Sequence, residues 1–263
     1  MRKLFNLLVA ALLLNLLPAA PSAAAETLNF SCSAQVAEAF GKPLMQEFIE
    51  TSGIATHTHV SSSNLAISRL LNGFSQIAGS ARPLRRQEIE SGLIEIPICR
   101  DPLAIIVHRD CPATSLTGDQ VRRIFNGEID NWKEICGKDQ PVTAIVPGKD
   151  TAAFANFHRL AMRMNDIRYD FMTWKSTAAV EAVRCLPGAI SFIGHVAVMD
   201  TPDIKMLTID GKSATDTDYP YVQTFSLVTR EKPEQTARAL IDYALSDRVT
   251  NFIVTHDMIP VID

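Results

Sequence analysis

The sequence predicts an α/β fold, and three observations carry that prediction. Short apolar runs of strand length recur along the chain, each followed by a segment whose apolar residues repeat at intervals of three and four. Several junctions between them carry Ser or Thr, the residues that cap helix starts. No internal repeat and no low-complexity linker interrupts the alternation. The 263 residues are 47% hydrophobic with a mean hydropathy of +0.08, enough for one large or two modest cores. The formal charge is −4 and no basic block occurs, so nucleic acid is not an expected partner.

Residues 27–31 (TLNFS) read as a first strand. A long helix follows, with Val36, Phe40, Leu44, Phe48 and Ile49 on one face and Pro43 bending or dividing it. Ser31, Cys32 and Ser33 occupy the turn between the two. Residues 54–60 form the second strand, and Ser61, Ser62, Ser63 and Asn64 precede a helix carrying Leu65, Ile67, Leu70 and Leu71. Residues 76–84 make a further turn, residues 85–90 a charged helical start, and residues 93–99 a strand that runs into Arg100, Asp101 and Pro102.

Residues 103–107 are a continuous apolar run, the mark of a buried strand, ended by Cys111 and Pro112. Thr117 caps a helix over residues 118–125, with Asp119 in its first turn and Val121, Ile124 and Phe125 on its apolar face. Asn126 and Gly127 end it, and Trp132 anchors the polar turn beyond. Residues 141–146 form another strand. Pro147, Gly148, Lys149, Asp150 and Thr151 then turn into a helix with Phe154, Phe157 and Leu160 on one face. Val180, Val183 and Cys185 lie on a later helix.

The N-terminus reads as an export signal. Arg2 and Lys3 form a charged start, residues 4–17 an apolar stretch too short to span a membrane comfortably, and Ala23, Ala24 and Ala25 a small-residue cleavage pattern. Residues 1–25 are expected to be removed before Glu26, leaving a soluble periplasmic protein. Five cysteines (Cys32, Cys99, Cys111, Cys136 and Cys185) then meet an oxidising compartment, and an odd number leaves at least one unpaired within the chain. Cys111 and Cys136 bracket the helix at residues 118–125 in loops that could meet, so their bridge is the preferred one. His57 and His59 alternate on a strand and share a face, but no third ligand stands near them in sequence, and no metal or cofactor is expected. The motifs of serine hydrolases, zinc peptidases and phosphate-binding loops are all missing, so no enzyme activity is expected.

The stretch from residue 103 to 135 resembles one family closely. Leu116, Thr117, Gln120, Val121, Ile124, Phe125, Gly127, Ile129, Asn131 and Trp132 match the pattern L-T-x-x-Q-[IVL]-x-x-I-[FY]-x-G-x-I-x-N-W of phosphate-type periplasmic binding proteins, the solute receptors of ABC importers. Residues 76–84 (QIAGSARPL) resemble that family's D-I-A-x-[GA]-S-[SD]-R-P-[LM] turn, and residues 186–194 its P-G-A-I segment. Tyr219, Pro220, Ile241, Tyr243, Leu245, Ser246, Ile253, Ile259 and Pro260 match its closing element. The resemblance implies two interleaved α/β lobes with a hinge and a central cleft. Residues 26–100 plus 200–263 would form the first lobe and residues 101–199 the second, with crossings near residues 99–103 and 197–205. It also implies a monomer that captures a small anion and hands it to a membrane permease.

In that family four turns hold an oxyanion through helix N-termini and hydroxyls. By resemblance they are Ser31, Cys32 and Ser33; Ser61, Ser62 and Ser63; Ser80, Ala81 and Arg82; and Lys149, Asp150 and Thr151. Arg82 would supply the main fixed charge. The fourth turn departs from the family's pattern, since VPGKDTAAF lacks the usual Arg and S-G-T run, and Asp150 would repel a phosphate dianion. The departure makes a sensory or interaction protein with an altered pocket the rival reading.

Overall fold

The computed structural model describes residues 26–174, 176–199, 201 and 203–261. The expected export signal at residues 1–25 lies outside the described residues. Three parallel strands, β1 (Thr27–Ser33), β2 (Ala55–Ser61) and β3 (Ile77–Ser80), begin the first lobe, with β1 in the middle. Helix α1 (Ala34–Ser52) joins β1 to β2, and α2 (Ser63–Leu71) joins β2 to β3. Pro43 lies inside α1, which continues past it for a total of 19 residues. After the short α3 (Arg86–Glu90) comes β4 (Leu93–His108), 16 residues long.

Strand β4 belongs to both lobes. Its first part, through Pro102, pairs antiparallel with β10 (Val222–Arg230), which in turn pairs with β3. Its second part, from Leu103, pairs with β8 (Ala189–Gly194) on one edge and β9 (Ile204–Ile209) on the other. Strands β6 (Thr143–Pro147) and β7 (Phe171–Thr173) extend the second lobe from β8 in parallel register. The order β2-β1-β3-β10-β4-β8-β6-β7 is therefore one continuous, curled ladder. The first crossing, expected near residues 99–103, therefore lies inside β4, which the two lobes share. The short β5 (Ser115–Leu116) lies beside β9, and β11 (Ile259–Pro260) beside β4.

Each lobe has its own core. In the first, Leu28, Phe30, Val36, Phe48, Ile98 and Phe225 pack with Leu240 of α8 (Gln235–Ala244) and Ile253 of α9 (Asp247–Thr255). In the second, the apolar run of β4 packs against α4 (Gly118–Phe125), α6 (Ala152–Leu160) and α7 (Ser176–Cys185). Phe157 stacks on Phe192 with centroids 3.7 Å apart, and Phe125 meets both edge-on. Thr117 and Gln120 close a reciprocal capping box at the start of α4. Trp132, fully buried just before α5 (Lys133–Cys136), donates its indole N–H to Gly188 O at 2.9 Å.

The structure bears on two sequence expectations. Residues 204–221 pack with the second lobe, because Leu207, Ile209, Ala214, Tyr219 and Tyr221 lie in its core and β9 pairs with the far half of β4. These memberships support a second crossing at Tyr221 and Val222, some twenty residues later than expected. All five cysteines are free thiols, so no bridge joins Cys111 and Cys136. The Cys136 thiol instead donates to Trp132 O, the residue just before its helix, at 3.3 Å. Among the described residues, no helix is long and apolar enough to cross a membrane, and no group of His, Cys, Asp and Glu could hold a metal ion.

Candidate solute-binding cleft

Four helices start at a cleft of about 460 Å³ between the lobes. From the first lobe come α1, capped by Ser33, whose Oγ accepts from Val36 N, and α2, capped by Ser62, whose Oγ accepts from Leu65 N. From the second come α6, capped by Thr151, and α7, whose first residues Ser176 and Thr177 line the cleft. Thr151 Oγ1 donates to Gly148 O at 2.7 Å and accepts from Phe154 N at 3.2 Å, so the hydroxyl is held by both sides of its turn. Gly148 lets the two second-lobe turns meet, since a Cβ there would stand 3.1 Å from Thr173 O. The first N–H groups of a helix have no partner inside it. Those of Ala34, Gln35 and Ala152 therefore serve the space that these residues line.

The side chain of Gln35 is the strongest sign of a ligand. It is only 8% exposed, and among the described residues neither its amide oxygen nor its amide nitrogen has a hydrogen-bond partner. Leaving a buried amide unpaired costs about 1–3 kcal/mol, so such a group is rarely kept without use. One turn further along α1, Glu38 also lines the cleft, and burial raises its carboxyl above the ordinary range.

The structure gathers only part of the site expected from sequence. Ser33, Ser61, Ser62, Asp150 and Thr151 line the cleft together. Ser31 is buried two residues before the lining Ser33 and accepts from Arg69 Nε at 3.0 Å. Cys32 points to the other face of β1, into an apolar cavity under α1, where burial pushes its thiol up to about 12. Ser63 turns inward to accept from Ala81 N at 3.1 Å. Lys149 is exposed and outside the cleft lining.

The turn at Ser80, Ala81 and Arg82 is a structural clasp. Ser80 Oγ donates to Arg82 O and accepts from Arg82 N. The buried Arg82 guanidinium donates to both carboxylate oxygens of Glu88, to Pro83 O and to Asn64 Oδ1. This bidentate pairing occupies the fork that an oxyanion would need. Arg82 and its hydrogen bonds hold the Glu88 carboxyl below its usual range, against the opposing effect of burial.

The same turn joins the hinge. Ala81 O accepts from Nδ2 of Asn156, a second-lobe residue, at 2.6 Å. Asn156 Nδ2 also donates to Gln223 Oε1, and Gln223 Nε2 donates to Asp101 Oδ2 at 2.9 Å. Asp101 Oδ1 accepts from Val196 N. Asp101 and Gln223 thus bind the two crossings to each other. Gly194 is required beside them, because any Cβ there would collide with Asp101 Oδ2. Burial raises the Asp101 carboxyl from 3.8 to about 7; the Gln223 and Val196 donors oppose the rise and the Glu38 charge adds to it.

Sequence reasoning missed Gln35, Glu38, Trp174, Ser176 and Thr177. Ser176 and Thr177 follow the strand–hydroxyl–helix pattern of the other turns, but β7 has only three residues and gives no periodic signal. Gln35 and Glu38 sit among the apolar positions of α1 and look there like an ordinary solvated stripe.

Comparison with known proteins agrees with this geometry. A family model described as a PBP superfamily domain matches residues 17–248, and the chain belongs to that family. The phosphate-binding protein PstS of Bacillus subtilis (strain 168) is 27% identical over 167 residues, 61% of this chain and 55% of that protein. PstS of Borreliella burgdorferi is 29% identical over 140 residues, half of each chain. The chain thus spans about half the length of these curated relatives. A putative phosphate ABC transporter substrate-binding protein from Clostridium perfringens, solved with bound phosphate, superimposes with a TM-score of 0.77 at 22% identity, over 90% of this chain and all of that one. An ABC-type phosphate transport receptor from Vibrio cholerae gives 0.75 at 21%, over 89% and all. At these identities the superpositions show the fold.

Proposed function

We propose that this chain is an exported, monomeric solute-binding protein that captures a small oxyanion in the cleft and delivers it to an ABC permease, without transforming it. The buried, unpartnered amide of Gln35 at the start of α1 carries this reading. Facing it, the N-terminus of α6 supplies a second set of free N–H donors from the other lobe, so one anion engaged by both would draw the lobes together. The hinge at Asp101 and Gln223 gives that closure its axis. The retained donors favour capture over the sensory alternative. Phosphate-binding relatives among the curated and solved proteins support phosphate as the first probe. Calorimetric titration of the desalted protein with inorganic phosphate and with sulfate tests the reading. Saturable one-to-one binding of either is expected, and no heat from any small anion would sink it.

A further inference from the structure

We propose that the first lobe carries a second binding site, in the cavity under α1, for an uncharged and mainly apolar organic molecule. The proposal stands apart from the anion reading of the cleft, although the two spaces share Ala34, Glu38 and Val60 on their walls.

The cavity holds about 380 Å³. Its floor is made by Phe30, Cys32, Leu44, Ile98, Leu227 and Leu240, all of them buried. They come from β1, α1, β4, β10 and α8, so the space lies within the first-lobe core. Its mouth opens between α1 and the edge strand β2, where Ala34, Thr58 and Val60 are exposed. A closed apolar floor with an open mouth is the form of a small-molecule site.

Native interiors are close-packed and keep few voids larger than a water molecule. Water is a poor filling for this one. A buried water needs about two to four polar partners, and the side chains of the floor offer only the weak thiol of Cys32. An apolar body instead removes its own surface and that of the floor from water together.

The wall also sets the charge of the occupant. Glu38 is the one charged side chain among the described lining residues, and no Lys or Arg accompanies it there. A carboxylic acid would bring a second carboxylate with no cation to offset it. A protonated amine would need Glu38 ionised, and burial works against that charge. An uncharged molecule meets neither cost. Tyr243 is also on the wall, and its buried hydroxyl has no partner among the described residues. One hydroxyl on the occupant is the group that it can bond.

The delipidated protein is titrated with N-phenyl-1-naphthylamine, an uncharged apolar fluorophore. Saturable one-to-one binding with a blue shift in the probe's emission is expected. 1-Decanol should displace the probe at least tenfold more effectively than decanoate or decylamine does. Ala244→Phe fills the cavity from α8 and lies outside the cleft lining. It should weaken probe binding tenfold or more while inorganic phosphate titrates as it does with the unaltered protein. Ala37→Leu narrows the cavity from α1 and replaces that variant if its melting curve shows it unfolded. Three results overturn the proposal and leave the anion site standing: no saturable probe binding, binding indifferent to both substitutions, or displacement by decanoate or decylamine as strong as by decanol. Loss of phosphate and probe binding together in a folded Ala244→Phe variant would make the two spaces one site, and also overturns it. Failure of the unaltered protein to bind any anion sinks the anion reading alone.

Discussion

The turns after β1 and β3 leave neighbouring parallel strands of one sheet, yet they use their polar side chains in opposite ways. After β3, Ser80 bonds to its own turn, Ala81 reaches the hinge through Asn156, and Arg82 is bound by Glu88, Pro83 and Asn64. After β1, Ser33 caps α1, but the Gln35 amide beyond it has no partner among the described residues. Polar residues at a strand-to-helix turn are therefore not equivalent candidates. Those whose partners lie within the fold stabilise it, and those without are the ones available to a ligand.

The largest effect separating the two turns should come from Arg82→Ala. It would leave the half-buried Glu88 carboxylate with the Arg85 N–H alone and strip Asn64 Oδ1 and Pro83 O of the Arg82 donor; losing these bonds of a buried charged group together costs about 3 kcal/mol. Denaturant unfolding should show that loss, while inorganic phosphate affinity stays within about twofold in the folded fraction. Normal stability with abolished binding would reverse the comparison. Gln35→Ala should do the opposite. Losing one hydrogen bond to a charged ligand is worth about 1.5–3 kcal/mol, or roughly ten- to a hundredfold in affinity. Stability should hold or rise, because an unpaired buried amide is removed; a lower melting temperature with unchanged affinity would make Gln35 structural.

The hinge offers a third contrast, through pH. In the folded chain Asp101 keeps its proton up to about pH 7, whereas its ordinary value is 3.8. Between those values the folded state binds more protons than the unfolded one, so this group's contribution to stability falls as pH rises, by at most about 1.4 kcal/mol per unit. It is constant below the window and constant, at its lower level, above it. Urea unfolding from pH 4 to 8 should show the decline, and Asp101→Asn should flatten it. An unchanged slope in the variant would place the titrating group elsewhere. The smallest effect is expected for Ser62→Ala, about 1 kcal/mol for a lost helix cap, measured by thermal melting. A much larger loss would mean that Ser62 does more than cap α2.

What could be read from the sequence was local. Thr117 with Gln120 and the spacing of Val121, Ile124 and Phe125 lie within one helix, and their structure follows the pattern. The caps at Ser33, Ser62 and Thr151 were likewise visible from three-residue neighbourhoods. The packing of residues 204–221 with the second lobe was hidden, because β9 pairs with β4, about a hundred residues earlier, and Tyr219 and Tyr221 join its core. The partners of Arg82 were hidden, because Glu88 and Asn64 meet it only once α2, α3 and the intervening turn are folded. Gln35 could not be found at all. That a side chain lacks a partner is a property of the whole fold and leaves no trace in the neighbouring residues.

The central claim is that the anion engages the starts of α1 and α6 and leaves the clasp around Arg82 alone. Backbone amide shifts of ¹⁵N-labelled protein, followed during titration with inorganic phosphate, test it residue by residue. The account predicts the largest shifts at Ala34, Gln35 and Ala152, with Ala81 and Arg82 nearly unmoved. Shifts centred on Ser80, Ala81 and Arg82, with α1 and α6 silent, would contradict it.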